Sequence, residues 1–476
     1  VTIMTVGQWR AANDAKDTET FFNGGEALSD DDIVIANKTA AIVLAVGTRN
    51  PWGYPSGSVL DAGVVKDGAG VRDTTWSIEF LADWWDSWAS SNCGTVKVDI
   101  VKYDFAAKTE SEAGQTAVRV TRLYDLEGQY GAKDQNNDKD LTITTYYSAP
   151  QEGNYLYMWD CVANNSKTDA VWYNGYAGYT GYQGTGDGYE NIAFSVTNKG
   201  DDGAATYGKG YAYKTVGSYA NTEGKDGYKF NGQYMTSFVV PADKFTSNQG
   251  NDFIISGNGG KSGYQELYVI NSANDEVEAT GNRKMFDPEE AVTFEEYIVV
   301  SDKADHAVLN DFIFTQRDEK TYPVAFEGIS GAEGTMEVIL YKGGKCLGWY
   351  TLDAAKGGTI NLPEGEYTYK VEKNGFCTSA TADFTVDKQG GKVVPQLGTE
   401  KVKVNVKVVD QNGKDIYAKV GVYNGKGVAY ANTLYPTVRY CGNSVYQTTG
   451  NKANAISVEI PKGEDSWLKV FGEGYF

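Results

Sequence analysis

A short acidic segment just ahead of a predicted strand has the ligand spacing of a site for a hard cation. Its oxygen-bearing side chains stand at every second position, at Asp134, Asn136, Asp138 and Asp140. Ca²⁺ binds several carboxylate and amide oxygens, and alternate positions of a tight loop can supply them. A complete EF-hand loop is excluded, because Lys139 takes the place of the turn glycine and Thr145 that of the last carboxylate. We therefore expect a structural Ca²⁺ site here as the only cofactor, with a plain solvated turn as the alternative.

Tyr and Trp are concentrated between residues 155 and 234, interleaved with Gly, Asn, Asp and Thr, and the stretch opens with Tyr155, Tyr157 and Trp159. The residues that we expect to contact a ligand are Trp172, Tyr173, Tyr176, Tyr179, Tyr182 and Tyr189. Flat amphipathic rings offer a large contact area at a small loss of side-chain entropy, which suits the apolar faces of sugars. The same rings suit a protein interface, since Tyr is enriched at interface cores, and a third option is that they only pack the sheets.

Catalytic chemistry has few candidates in this sequence. His306 is the single histidine, and no nucleophile elbow of the G-x-S-x-G type accompanies it. The cysteines lack the C-x₂-C spacing of zinc sites. An enzyme would have to use paired carboxylates, as glycosidases do, or a Tyr base for polysaccharide β-elimination. We therefore expect no catalytic residue, and a polysaccharide lyase or glycosidase remains an alternative function.

The charge balance of the 476 residues excludes one class of partner. The formal net charge is −20, and a polyanion needs clustered cations that release its counterions, so nucleic acid is excluded as a main ligand. No apolar run is long enough to span a membrane. The 34 Tyr, 18 Phe and 10 Trp exclude an intrinsically disordered chain. The five Cys leave two options open, two disulfides with one odd thiol or five reduced thiols.

Strand signals dominate the chain and predict a mostly β fold of antiparallel sheets. Runs of β-branched and aromatic residues bounded by Gly, Asn, Asp or Pro occur at 97–103, 140–147 and 297–300. One short helix is predicted at 79–88, from apolar residues spaced i, i+3, i+4 and i+7. We expect a large antiparallel β-supersandwich in residues 1–302 and a polar boundary at 302–320.

Beyond that boundary we expect two small Ig-like or prealbumin-like β-sandwiches, 320–398 and 399–476. Each begins with an alternating strand and later carries a Pro–x–Gly turn, at 362–365 in the first and at 460–463 in the second. The Asn-Gly pair at 412–413 predicts a type I′ hairpin. The second repeat ends one or two strands short of the first. Because an unpaired edge invites pairing, this predicts completion by further chain or by a partner strand.

Several segments carry a family resemblance. They are 32–44 (DIVIANKTAAIVL), 54–63 (YPSGSVLDAG), 293–300 (TFEEYIVV) and the two Pro–x–Gly repeats. Together they resemble the N-terminal region of large secreted PHP-domain metallohydrolases. The resemblance implies a galactose-mutarotase-like supersandwich followed by carboxypeptidase-regulatory-like sandwiches. It transfers no catalytic residue, because the His-rich metal motifs of the hydrolase domain and the catalytic histidines of mutarotases have no counterpart in this sequence.

These observations favour a non-catalytic extracellular or cell-surface region that binds glycan or presents a partner domain through Tyr/Trp-rich loops. The alternative is a self-assembling filament or surface-layer subunit, a homo-oligomer completed by strand donation. Residues 1–6 alternate in polarity and could serve as the donated strand. The expected partner is therefore a glycan or another protein subunit.

Overall fold

The structure is a computed structural model in which two compact units can be described. The described residues are 1–12, 29–47, 57, 59–66, 70–73, 93–124, 141–168, 171–173, 176–179, 189–194, 205–207, 211–220, 232–241, 246–249, 254–258, 266–270, 284–303, 305–343, 345–414, 418–424, 446–448 and 456–472. Unit 1 holds those up to residue 303, and unit 2 holds those from Asp305 onward. Most of them lie in antiparallel strands, which confirms the predicted mostly β sandwich architecture.

Unit 1 is built from strands that follow one another along the chain, with one short helix near its start. These elements are β1 (Thr2–Thr5), α1 (Val6–Ala12), β2 (Ile33–Ala36), β3 (Ala40–Leu44), β4 (Val59–Lys66), β5 (Gly70–Asp73), β6 (Cys93–Asp104), β7 (Thr109–Glu110), β8 (Gln115–Tyr124), β9 (Leu141–Ser148), β10 (Tyr155–Asn164), β11 (Val171–Tyr173), β12 (Tyr176–Tyr179), β13 (Tyr189–Phe194), β14 (Ala205–Tyr207), β15 (Tyr211–Ala220), β16 (Gly232–Pro241), β17 (Thr246–Ser247), β18 (Ile254–Asn258), β19 (Glu266–Ile270), β20 (Lys284–Phe286) and β21 (Ala291–Ser301).

The strands of unit 1 form two large sheets and two small ones. Strands β1 to β5 form a five-stranded sheet in chain order. The ten-stranded sheet has the order β13-β15-β16-β21-β10-β9-β8-β6-β7, and β17 also pairs with β21. Strand β11 pairs with β20, and β12-β19-β18-β14 form a four-stranded sheet.

The core of unit 1 lies between the two large sheets. Strand β10 alternates strictly, its even-numbered residues being buried and its odd-numbered residues half-buried. Such alternation buries one face of a sheet and leaves the other face nearer to solvent. The buried side chains of both sheets form one cluster, which includes Ile42, Val64, Val118, Met158 and Ile298. The opposite, half-buried face of β8, β9, β10 and β21 is called the outer face below.

The N-terminal strand of unit 1 is paired within its own chain. Thr2 to Thr5 of β1 run antiparallel to β2, in a register that sets Thr2 opposite Ala36 and Thr5 opposite Ile33. Helix α1 follows at once, and its Val6 side chain is buried in a second apolar cluster. A role for residues 1–6 as a donated strand would therefore require β1 to leave β2.

Unit 2 begins with a helix and continues as strands. Its elements are α2 (Ala307–Gln316), β22 (Thr321–Glu327), β23 (Thr335–Lys342), β24 (Lys345–Asp353), β25 (Gly357–Pro363), β26 (Gly365–Glu372), β27 (Ala382–Val386), β28 (Gly391–Val393), β29 (Lys401–Val406), β30 (Ala418–Asn424), β31 (Tyr446–Thr448), β32 (Ile456–Pro461) and β33 (Ser466–Gly472). Seven of these strands form one sheet in the order β27-β26-β23-β24-β25-β22-β28, with β22 and β28 parallel. Strand β29 pairs with β32, and β31-β30-β33 form a three-stranded sheet. The boundaries 1–302, 320–398 and 399–476 remain predictions.

Helix α2, Ala307–Gln316, lies within the stretch 302–320, for which the sequence patterns indicated only a polar boundary. Its Leu309, Phe312 and Ile313 are buried. His306, just before the helix, is fully buried. Its ring meets that of Trp349 edge-on at 4.2 Å, and its Nδ1 accepts the backbone N–H of the same residue at 3.3 Å. The single histidine therefore serves packing at the start of a helix.

Candidate functional site

The residues predicted to bind a ligand fall in three different sheets. Trp172 and Tyr173 lie in β11, Tyr176 and Tyr179 lie in β12, and Tyr189 opens β13 of the ten-stranded sheet. Their side chains, and the whole of Tyr182, lie outside the described part of the structure. Their binding role remains a prediction.

The predicted Ca²⁺ ligands also lie outside the described residues. Asp134, Asn136, Asp138 and Asp140 belong to the stretch 125–140, which separates β8 from β9. Within the described ranges, no group of three or more His, Cys, Asp or Glu side chains could hold a metal ion. The Ca²⁺ site therefore remains a prediction.

The described outer face of the ten-stranded sheet presents a row of aromatic and charged side chains. Strand register places one residue from each of five neighbouring strands side by side, which we call the outer row. In order along β6, β8, β9, β10 and β21 the outer row is Asp99, Arg119, Tyr146, Trp159 and Glu295. All five are half-buried, so each combines a fixed position with access from solvent.

The rings at the centre of the outer row pack against one another. Tyr103 of β6 stacks on Tyr146 with ring centroids 3.9 Å apart and planes at 21°. The Trp159 ring lies 5.8 Å from both of them. Tyr103 is almost fully buried, whereas Tyr146 and Trp159 keep part of their surface exposed. Among the rings of this face, Tyr146 and Trp159 are therefore partly open to solvent, while Tyr103 is covered.

One end of the outer row is an ion-pair network around Arg119. The guanidinium donates to Asp99 and to Glu110 of β7, each at 2.7 Å. The Tyr146 hydroxyl donates to the same Glu110 carboxylate at 2.8 Å. Partial burial, followed by the hydrogen bond to Glu110 and then by the Glu110 charge, raises the pKa of Tyr146 to about 12. The phenol therefore stays a neutral donor at physiological pH.

The other end of the outer row is a second ion pair, supplied by the turn between β6 and β7. Lys108 has a left-handed backbone, φ 55°, and donates to Glu295 at 2.6 Å and to the Tyr157 hydroxyl. The Tyr297 hydroxyl donates to the second Glu295 oxygen at 2.8 Å. Burial is the main cause that raises the pKa of Tyr157, with the Glu295 charge next. A Tyr base at this end is therefore disfavoured.

The opposite, buried face of the same strands carries three ionisable side chains inside the core. They are Arg122 of β8, Asp160 of β10 and Glu296 of β21, all fully buried. The Arg122 guanidinium donates to the Gly57 carbonyl at 2.7 Å and to the Thr145 hydroxyl at 3.3 Å.

In the described part of unit 1, the carboxyl groups of Asp160 and Glu296 lack well-formed hydrogen bonds. Across the described ranges, neither Asp160 nor Glu296 has a hydrogen-bond partner of normal geometry for either oxygen. Burial raises the pKa of Asp160 to about 7, although the nearby Thr145 hydroxyl and the Arg122 charge act in the opposite direction. Burial, and then the Asp160 charge, also raise the pKa of Glu296 well above its usual range. Because both groups are sealed from solvent, this pair cannot contact a polysaccharide in the folded chain.

The sequence contained a signal for both the outward-facing rings and the buried carboxyl group of β10. The alternation Tyr155, Tyr157, Trp159 marks the outer face, and these rings opened the predicted aromatic stretch. Asp160 interrupts the apolar positions of that strand, as Glu296 does on β21. This break in the apolar pattern is the signal that could have revealed the buried pair. An acidic residue at a core position of an alternating strand is buried at a cost in free energy unless it is paired.

Among the described helices, none is long and apolar enough to cross a membrane. The thiols of Cys161 and Cys377 are free and half-buried.

Comparisons with known proteins give only distant similarities. No family model matches the chain. No curated protein matches it either. Among solved structures, it is similar to the galactosidase domain of an alpha-galactosidase–sucrose kinase, with 8% identity, a TM-score of 0.30, and coverage of 58% of this chain and 41% of that one. A GH36 alpha-galactosidase from Geobacillus stearothermophilus gives 10% identity, a TM-score of 0.29, and coverage of 57% and 41%.

A polysaccharide lyase gives 10% identity, a TM-score of 0.24, and coverage of 76% of this chain and 48% of that one. The matched part thus spans less than half the length of each of these three structures. The resemblance to PHP-domain proteins has no support among them and stays a hypothesis.

Proposed function

We propose that unit 1 is a non-catalytic, extracellular glycan-binding region and that the outer row is its contact surface. The observation that carries the proposal is the placement of Tyr146 and Trp159, half-buried and side by side, between two ion-pair networks. Such rings offer an apolar face to the C–H side of a sugar, while the flanking carboxylates accept hydrogen bonds from its hydroxyls.

The described geometry favours binding over catalysis. The glycosidase alternative needs two carboxyl groups that flank the scissile bond. In the described part of unit 1, the pair of carboxyl groups with raised pKa values, Asp160 and Glu296, is fully buried. The lyase alternative needs a Tyr that can lose its proton, and burial raises the pKa of Tyr146 and Tyr157.

Assembly by strand donation is the weaker proposal. The strand suggested as a donor, β1, is already paired along its length with β2. A donated strand contributes through main-chain hydrogen bonds to a free sheet edge, and β1 already uses one of its edges in this way.

Affinity electrophoresis through gels that contain neutral polysaccharides tests the proposal. We expect retardation of the wild type and a loss of affinity of about tenfold in Trp159→Ala, since removing a stacked ring costs on the order of 1.4 kcal/mol. The matched control is Trp467→Ala, because Trp467 is exposed on β33 of unit 2. Tyr176→Ala and Tyr179→Ala test the positions predicted from sequence on the same gels.

The proposal fails under either of two results. One is the absence of retardation across the polysaccharide panel. The other is an equal loss of retardation in Trp159→Ala and Trp467→Ala, which would place the contact elsewhere or make it nonspecific. Thermal unfolding of both variants verifies that each remains folded.

A further inference from the structure

A second row of side chains runs parallel to the outer row on the same face. Strand register places one residue from each of the same five strands in it, and we call it the threonine row. Along β6, β8, β9, β10 and β21 the threonine row is Lys97, Thr121, Thr144, Cys161 and Thr293. Its members on β8, β9, β10 and β21 are half-buried, as in the outer row. Three hydroxyls, which can both donate and accept, therefore adjoin the rings.

The cations at the two ends of the outer row already have anionic partners. Arg119 is shared between Asp99 and Glu110, and Lys108 is paired with Glu295. The remaining described cation of the two rows, Lys97, stands at their β6 end. The site already carries three carboxylates, at Asp99, Glu110 and Glu295, and their charge repels a chain of uronates. Binding of such a chain would therefore need an unengaged cation near each of its own carboxylates.

We infer that the outer face selects an uncharged, hydroxyl-rich sugar chain that lies across the strands, between the outer row and the threonine row, and that it rejects uronate-containing chains. The inference rests on the proposed glycan-binding function. The direction of the sugar chain follows from the register, since successive strands stand about 4.8 Å apart and each of β8, β9, β10 and β21 contributes a ring or a hydroxyl to the two rows. Trp159 supplies the apolar contact, and Thr144 and Thr293 lie on the neighbouring strands.

The test uses neutral polysaccharides, each paired with the same chain oxidised at its primary alcohols to the uronate form, and titration calorimetry at low and high salt. For the wild type we expect the neutral member of a pair to bind about fivefold to tenfold more tightly than the oxidised member. Thr144→Val, which exchanges the hydroxyl for a methyl group, should weaken neutral binding about fivefold, the equivalent of one hydrogen bond. Thr385→Val, at an exposed position of β27 in unit 2, is the control.

A charge variant tests the selectivity directly. Asp99→Asn with Glu110→Gln releases Arg119 from both carboxylates, so its affinity for the oxidised chain should rise and the neutral preference should shrink at low salt. The control is Glu366→Gln with Asp383→Asn, which removes the same two charges from exposed positions of unit 2.

The outcomes separate the two levels of the argument. The inference is overturned if the wild type binds the oxidised chain as tightly as the neutral chain, or more tightly. It is also overturned if Thr144→Val binds the neutral chain with unchanged affinity. Neither result contradicts the glycan-binding function. Failure of every neutral and every oxidised chain to bind overturns the function and the inference together.

Discussion

The buried pair Asp160 and Glu296 should make unit 1 less stable as the pH rises. A buried carboxyl whose folded-state pKa is raised binds its proton more tightly in the folded than in the unfolded chain. Stability is then unaffected well below the unfolded pKa, falls between the unfolded and folded values, and levels off above the folded one. For Asp160 these values are 3.8 and about 7, so the decline spans roughly pH 4 to 7.

The size of the decline follows from the shift. Each pKa unit corresponds to about 1.36 kcal/mol, and the Asp160 shift of about three units amounts to about 4 kcal/mol. Glu296 adds a loss of the same sign, since its pKa is also raised. Both groups are fully buried, so solvent screening reduces these values little.

The variant that isolates this effect is Asp160→Asn, which keeps the shape of the side chain and removes its charge. At pH 8 we expect the free energy of unfolding of the variant to exceed that of the wild type by up to about 4 kcal/mol, so that the variant unfolds at a higher urea concentration. At pH 4 we expect the two proteins to unfold at similar urea concentrations. Urea unfolding followed by tryptophan fluorescence at pH 4, 6 and 8 measures this. Asp383→Asn, at an exposed position of unit 2, is the control.

A constant difference between Asp160→Asn and the wild type at all three pH values would refute the reasoning. It would mean that the carboxyl is ionised in the folded chain throughout, or that the amide disturbs packing regardless of charge. A variant less stable than the wild type at pH 8 would lead to the same conclusion.

Three further outcomes are expected. Gly57→Ala should destabilise unit 1 by more than about 1 kcal/mol in urea unfolding, because φ is +83° and a Cβ would stand 2.3 Å from Val120. Gly348→Ala should similarly lower the melting temperature of unit 2, since φ is +100° and the added atom would meet the His306 ring at 2.3 Å. Ca²⁺ should raise the melting temperature of the wild type and have no effect on Asp138→Ala, if 134–140 holds the ion.

The strands could be predicted because their patterns are local. The runs at 97–103 and 297–300, and residues 141–147 of the third run, fall within observed strands, since β-branched and aromatic residues fit a pleated, half-buried surface wherever the partner strand lies. The partners themselves could not be predicted. Strand β10 lies between β9 and β21, more than a hundred residues apart, and alternation does not encode which strand will be the neighbour.

Two local signals were incomplete. Leu309, Phe312 and Ile313 have helical spacing in α2, but three apolar residues among polar ones are too few to predict a helix. The Asn-Gly pair at 412–413 does make a turn, in which Gly413 donates to the Asp410 carbonyl at 3.0 Å. Only Gly413 has a positive φ, so the turn is not type I′, and β29 pairs with β32 rather than with the following strand.

The residues of the candidate site could not be predicted from the sequence. Rings that bind a ligand were expected, yet the described outer row joins Trp159 of the predicted stretch to Arg119 and Glu295, which lie far from it in sequence. Composition can indicate that aromatic side chains are abundant. Only register decides which of them stand next to a charge, and register is set by the packing of whole strands.

The outer row and the buried pair are two results of one register. Trp159 and Asp160 are consecutive on β10, so one points to the outer face and the other to the core, and the same holds for Glu295 and Glu296 on β21. A slip of one residue would exchange them, placing Asp160 and Glu296 on the surface and the Trp159 indole and Glu295 in the core. On β21 one acid would replace the other in the core, so relief of carboxyl desolvation favours the slipped register through Asp160 alone. The apolar neighbours Met158 and Ile298 oppose the slip, because each would become exposed. The Trp159 ring can face outward only as long as burial of those neighbours outweighs the unfavourable burial of Asp160, which is greatest when that carboxyl is ionised.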